Sequence, residues 1–262
     1  MIYENTNIPV RGGIIIKEEE IIKSAKCLFE LLPMDSKVRY YFRGIPRSNY
    51  ELVPKLLRKN TLTAISKIYQ ENDPILLQKA LLQRFRRYAP TYYTGTQFGT
   101  LSDDVDSAGC LCLAQHYGLP TLLLDWTLNP LAALYFAVTK HDREDGCIWS
   151  MELKPRNKRM DLTIHLEDYE KLPERPTSPL LVVPRPFTPR IAAQAGRFTC
   201  SIDPTPLNSY TKKRPWTEMR QWKILGKSKK RIRKELSMLQ VHEGTMFPGL
   251  EGYAKYLAGG GL

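Results

Sequence analysis

An arginine set among aromatic rings and followed by glycine stands in Tyr40-Tyr41-Phe42-Arg43-Gly44. A second polar cluster, Gln115-His116-Tyr117-Gly118, leads through Pro120 and Thr121 to Asp125-Trp126-Thr127. Arginine presents a planar fork of donors suited to oxyanions, and histidine adds a group that titrates near neutral pH. Trp126, Tyr135 and Phe136 are each ordinary core residues, but their concentration around Asp125 and Thr127 points to a site. Each polar residue has a plain structural role as well. Arg43 can pair with Asp125 and brace two strands, His116 can cap carbonyls at a helix end, and Asn129 reads as a helix cap. Glu251, in Leu250-Glu251-Gly252, is either a catalytic carboxylate or a turn contact.

Charge gives a second lead. The 262 residues carry a formal net charge of +12, which favours polyanionic partners. Eleven of the residues from Lys212 to Lys234 are basic, against one acid, Glu218, and the stretch includes Trp216 and Trp222. Cations beside indole faces suit single-stranded nucleic acid, and Lys212, Lys213, Arg214, Lys229, Lys230 and Arg231 are the expected contacts. The alternative is a solvated helix face with both tryptophans in the core. Arg84, Arg86 and Arg87 mark a second basic surface.

These residues need elements to hold them. Val38 to Gly44 alternates as a strand with Arg43 near its carboxyl end, and Thr121 to Trp126 reads as a strand buried on both faces. Between them, Asp73-Pro74 starts a helix through Tyr88, and Ser107 to Tyr117 forms another, closed by Gly118. Asn129-Pro130 opens the next, with Leu131, Leu134, Tyr135 and Val138 inward. Periodicity predicts an amphipathic helix over 18–32 and a final one from about Ser228 to Val241, burying Ile232, Leu236 and Leu239. Strands are expected at 146–153, 181–183, 198–202 and 219–225. The length suits one core, and the five scattered cysteines read as reduced packing residues rather than metal ligands. No segment has the design of a membrane span or signal peptide, so a cytoplasmic protein without membrane partners is expected.

The two clusters, with Ala133-Leu134-Tyr135-Phe136-Ala137, Arg190-Ile191, Gln194 and Phe247 to Lys255, resemble the FRG-domain family over roughly 38–257. Leu122, where the family commonly has arginine, and Ala195 depart from its pattern. Residues 1–37 are then a helical lead-in and 258–262 a disordered tail. The layout is also similar to that of NAD-dependent ADP-ribosyltransferases. This implies an α/β (α+β) fold in which a central mixed β-sheet, continuous or split, is flanked by helices. By that resemblance Arg43 binds ribose or pyrophosphate oxygens and Gly44 lets the nicotinamide amide approach the backbone. Phe42, His116, Tyr117, Trp126, Thr127 and Tyr135 contact the dinucleotide, and Gln194 takes a late-strand catalytic role. Gln194 lacks a carboxylate, so Asp125 or Glu251 must supply the charge. The function implied is transfer of ADP-ribose from NAD, without a metal, to nucleic acid, RNA first, by an intracellular toxin with a protein antitoxin. A non-catalytic RNA- or DNA-binding module is the alternative, and few clustered histidines and carboxylates disfavour a metal nuclease.

Overall fold

The computed structural model describes residues 8–9, 15–16, 21–32, 38–92, 107–153, 179–183, 188–209 and 218–260. Eight strands and nine α-helices are found among them. In chain order they are β1 (Ile8–Pro9), β2 (Ile15–Ile16), α1 (Ala25–Leu31), β3 (Arg39–Ile45), α2 (Lys59–Tyr69), α3 (Pro74–Tyr92), α4 (Ser107–His116), β4 (Leu123–Thr127), α5 (Pro130–Val138), β5 (Gly146–Leu153), β6 (Leu180–Val182), α6 (Pro189–Ala193), β7 (Gly196–Cys200), β8 (Glu218–Ile224), α7 (Gly226–Met238), α8 (Glu243–Met246) and α9 (Leu250–Ala258). Two 3₁₀ turns, Lys55–Leu57 and Leu207–Ser209, complete the set. No described helix is long and apolar enough to cross a membrane.

Six strands form one sheet in the order β6-β7-β4-β3-β5-β8, and every ladder in it is antiparallel. The mixed character expected from the family resemblance is confined to an isolated parallel bridge, Ile21 with Lys223. The central joint is narrow. β3 pairs with β5 along its whole length, but with β4 only through Phe42 and Thr127. The sheet is thus two three-stranded halves pinned at one point.

Strand alternation then decides which side chains share a face. Phe42, Ile148, Trp222 and Ile224 face the helices α1, α5 and α7, which cover one half-sheet. Leu123, Phe198, Cys200 and Val182 lie on the same side of the other half, under α3 and α4. Leu124, Trp126, Tyr41, Trp149 and Leu181 fill the core of the opposite face. The two helical groups leave a gap above the narrow joint, and the candidate site occupies it.

Local signals explain the helix starts that matter to this gap. Asn129 Oδ1 accepts from the Leu131 and Ala132 amides at 2.9 and 3.4 Å, and Pro130 follows at the first helical position. Asp73 caps α3 through the Ile75 amide at 2.8 Å, and Gly118 closes α4 with a left-handed φ of 92°. Elsewhere the periodicity misleads. Ser24 caps α1 through Cys27 N at 3.1 Å, so the helix begins at Ala25 rather than Glu18, because Ile21 and Ile22 are drawn to the edge of β8. α7 stops at Met238, leaving Leu239 about half exposed instead of buried. Cys110, Cys112, Cys147 and Cys200 are buried free thiols, and burial pushes Cys147 up to about 11 and Cys200 up to about 12.

Candidate functional site

The gap holds a cavity of about 320 Å³. Its floor is the joint itself, with Phe42, Thr127, Asp125 and Phe198, and its walls come from α4 (Gln115, His116), the end of α5 (Phe136, Lys140 beyond it) and α6 (Arg190, Gln194). Arg43 spans the parting between β3 and β4. Its Nη1 donates to the Asp125 backbone oxygen at 2.6 Å and lies 3.4 Å from Asp125 Oδ2. The bracing contact with Asp125 therefore exists, but it employs one corner of the guanidinium. Arg43 Nε is buried with no partner. Burial lowers the Arg43 pKa against the pull of Asp125, so the bare cation is electrostatically unfavourable here and would be eased by an anion.

Asp125 is oriented from the other side. Gln115 Nε2 donates to its Oδ1 at 2.6 Å, while Thr121 Oγ1 donates to Gln115 Oε1 and so fixes the amide. His116 stacks on Tyr117 with ring centroids 4.8 Å apart, and its Nδ1 is buried without a partner. Burial, helped by the Arg190 charge, lowers its pKa to about 4. The imidazole is therefore neutral at physiological pH and available as a hydrogen-bonding group.

Beyond His116 and Phe136 a second lobe of about 540 Å³ opens, bounded by Arg190, Lys140, Tyr135, Glu243, Phe247, Glu251 and Lys255. Arg190 borders both lobes. Its guanidinium lies 4.5 Å from the Phe247 ring centre, and among the described residues it makes no ion pair. Burial lowers its pKa too, although Asp125, Glu243 and Glu251 oppose the shift. Tyr135 donates its hydroxyl to Glu243 Oε2, tying α5 to α8. The site thus offers two partly desolvated guanidiniums, a neutral imidazole and carboxylates in each lobe, between aromatic walls.

Strands β3 and β4 and helices α4 and α5, which supply most of the inner lobe's floor and half its wall, lie with α2 and α3 in the stretch 38–146 that matches the FRG domain family. This stretch is an FRG domain. The match ends at the first residue of β5, so Arg190, Gln194, Glu243 and Glu251 complete the cleft from outside it. No curated protein and no solved structure matches the chain.

Within the FRG domain several residues have roles different from those the resemblance implies. Gly44 borders the inner lobe and also packs against a helix: a Cβ there would lie 1.7 Å from the Ala133 carbonyl oxygen of α5. Phe42 is buried beneath the same helix. Trp126 borders the cleft, yet its ring is in the opposite core and its Nε1 donates to Thr199 Oγ1 at 3.0 Å. Thr127 lines the inner lobe, with its hydroxyl donating to Gln194 O at 2.5 Å and accepting from Asn129 N. Tyr135 belongs to the outer lobe rather than the inner, and Tyr117 is exposed beside His116.

Outside the FRG domain, Gln194 caps a short helix instead of standing on a strand, and its Nε2 donates to Met246 O at 2.9 Å. Glu251 lies in helix α9, not in a turn, and pairs with Lys255 at 2.7 Å on the outer rim. Leu122 is buried in the core, away from the cleft lining. Arg190, Lys140 and Glu243 were not among the expected site residues; Arg190 stands in one of the motifs that carry the family resemblance, and nothing in the local sequence marks Lys140 or Glu243.

The C-terminal basic tract changes most. Lys212, Lys213, Arg214 and Trp216 lie outside the described residues. Lys229 is completely buried, and its ammonium donates to the carbonyls of Pro46, Lys140 and His141 at 2.6, 2.9 and 3.0 Å. It is a structural cation that cannot reach a polyanion, which corrects its expected role. Trp222 is likewise core. Arg231 pairs with Glu235 and with the Lys23 carbonyl, whereas Lys230 stays exposed.

The His116 environment makes a pH prediction. Its folded pKa of about 4 lies below the ordinary 6.5, so between those values the unfolded chain binds a proton that the folded chain refuses. This contribution to stability is complete above pH 6.5 and is lost as pH falls toward 4. An NMR titration is expected to place the His116 imidazole near 4, and a midpoint near 6.5 would show an imidazole open to solvent.

Proposed function

We propose that this protein cleaves NAD and transfers the ADP-ribosyl group to a nucleic acid, RNA first, as an intracellular toxin restrained by a partner antitoxin. One observation carries the reading: Arg43 Nε and His116 Nδ1 are buried without partners against a cleft bordered by Arg190, which makes no ion pair among the described residues. Buried donors left unsatisfied are costly, and a ligand bearing oxygens would satisfy them. Two guanidiniums suit a pyrophosphate, and the rings of Phe136 and Phe247 supply flat contacts. Lobes of about 320 and 540 Å³ fall within the range of small-molecule sites.

In the transfer, the C1′–N bond to nicotinamide breaks and nicotinamide leaves with the electron pair. The acceptor forms the new bond to C1′ and gives up its proton. Positive charge builds on the ribose between these events, and a fixed carboxylate beside it lowers the barrier. Asp125 offers one from the inner lobe and Glu243 from the outer. The reaction as proposed uses no metal. Draining NAD would arrest growth, which supports the toxin reading and the need for an antitoxin.

The test is incubation of pure protein with adenylate-labelled NAD and RNA, DNA or protein. Labelled RNA and free nicotinamide are the expected products. Absence of both would remove the enzyme, and comparing Asp125→Asn with Glu243→Gln identifies the carboxylate that matters.

A further inference from the structure

Of the eight described cations in the basic tract that pointed to nucleic acid, five are spent within the fold. Among its described cations, Arg220 pairs with Glu218 at 2.7 Å, Lys223 with Asp145 at 2.9 Å and Arg233 with Asp142 at 2.6 Å. Lys229 is buried and Arg231 is paired, so Lys227, Lys230 and Lys234 remain. The partner of a basic protein is met by charges left over after internal pairing, and a second set of these lies elsewhere.

Helices α2 and α3 carry such a surface. From Arg58 to Tyr92 the only carboxylates are Glu71 and Asp73, and both are occupied in the connecting turn. Glu71 Oε1 accepts from the Asn72 and Asp73 amides at 2.7 and 2.8 Å, and Asp73 caps α3. Among the described residues Arg84 and Arg87 have no ion pair. Each guanidinium instead lies over a tyrosine ring, Arg84 4.9 Å from the centre of Tyr69 and Arg87 5.8 Å from that of Tyr88. Arg84, Arg87, Tyr88 and Tyr92 follow at i, i+3, i+4 and i+8, the spacing of one helix face. Tyr88 and Tyr92 are 58% and 84% exposed, so both rings are open to a partner.

We infer that the α3 face around Arg84, Arg87, Tyr88 and Tyr92 binds single-stranded nucleic acid. Guanidiniums free of carboxylates meet the phosphates, and exposed phenol rings take unstacked bases, a combination that a duplex with its bases paired inside does not satisfy. α3 packs on α4, whose far end carries Gln115 and His116 into the cleft, so a strand held here lies on the FRG domain's own wall. The inference names the surface that would present the acceptor in the proposed reaction. It rests on that reading only for the purpose of the binding, not for the binding itself.

Fluorescence anisotropy without NAD tests it, using labelled uridine oligomers of about 12 nucleotides, the matching deoxythymidine strand and an RNA duplex of the same length. The Arg84→Ala/Arg87→Ala variant is expected to bind the strand at least about tenfold more weakly and to flatten the log affinity against log salt slope by about 1.4, two contacts at about 0.7 each. Tyr92→Ala, at a position too exposed to disturb folding, is expected to weaken binding several-fold at unchanged slope. Lys227→Ala/Lys230→Ala removes equal charge from the C-terminal tract and is expected to bind like the parent. RNA and DNA strands are expected to bind within about threefold, because both share phosphates and stacking faces. Equal losses in the two double variants, tighter binding of the duplex, or no binding of any strand would overturn the proposal. Since NAD cleavage is read separately by nicotinamide release, failure here is distinguishable from failure of the enzymatic reading.

Discussion

Gly44→Ala is expected to leave little folded protein. The added methyl would sit 1.7 Å from the Ala133 carbonyl oxygen and 2.8 Å from the Ala137 nitrogen, both backbone atoms of α5. Neither can yield as a flexible side chain would. α5 is buried on nearly every side, through Ala132, Ala133, Leu134, Tyr135, Ala137 and Val138, so it has no free direction in which to retreat. On the neighbouring strand, Gly146 of β5 makes the same kind of approach, 2.6 Å from the Ala137 oxygen. Overpacking of this kind costs typically 1–3 kcal/mol when side chains can adjust, and about 3 kcal/mol or more is expected here because backbone must move. Gly118→Ala is the informative control. Gly118 has a left-handed φ but open space around it, so a cost of only about 1 kcal/mol is expected. Thermal denaturation followed by circular dichroism compares the two, and equal melting temperatures would show that α5 does not lie so close to β3.

Arg43→Ala is expected to lower NAD cleavage by about 100-fold or more, the usual consequence of losing a buried donor aimed at developing or transferred charge. Arg43→Lys keeps the charge but not the planar fork and should recover only part of it. The structural role gives the opposite pattern. Arg43 Nη1 holds the Asp125 carbonyl at 2.6 Å across the parted strands, so a pure brace would lose stability while keeping turnover in whatever protein remained folded. Measuring nicotinamide release per folded molecule alongside the melting temperature separates the two. Full turnover with a lowered melting temperature would make Arg43 a brace and remove the nucleotide site.

The elements around the cleft were legible because their signals are local. Asn129-Pro130 and Asp73-Pro74 place helix starts within a residue or two, since a cap bonds amides only two or three positions ahead. The alternation in Val38 to Gly44 identified β3 and the half-polar face bearing Arg43. The 18–32 periodicity was less reliable, because an edge of β8 claimed Ile21 and Ile22 for a contact 200 residues away in the chain. α2 was not expected: Leu62, Ile65 and Tyr69 recur at i, i+3 and i+7, but none of its residues is fully buried and no side-chain cap marks its start. Glu243 was missed for a different reason. It is a single carboxylate in an unremarkable turn sequence, and only its hydrogen bond to Tyr135, 108 residues away, brings it into the cleft.

By itself the sequence determined the FRG stretch, the strand that carries Arg43, the helix starts beside it and a surplus of positive charge. These follow from composition and from contacts between near neighbours. Only the tertiary structure decided which charges are free. It buried Lys229 under three carbonyls, paired Arg220, Lys223 and Arg233, and left Arg84, Arg87 and Arg190 without an ion pair among the described residues. It also packed Gly44 against a helix. The physical reason is common to all of these: burial and pairing are set by residues far apart in the chain, and a run of identical charges carries no record of which one the fold will enclose.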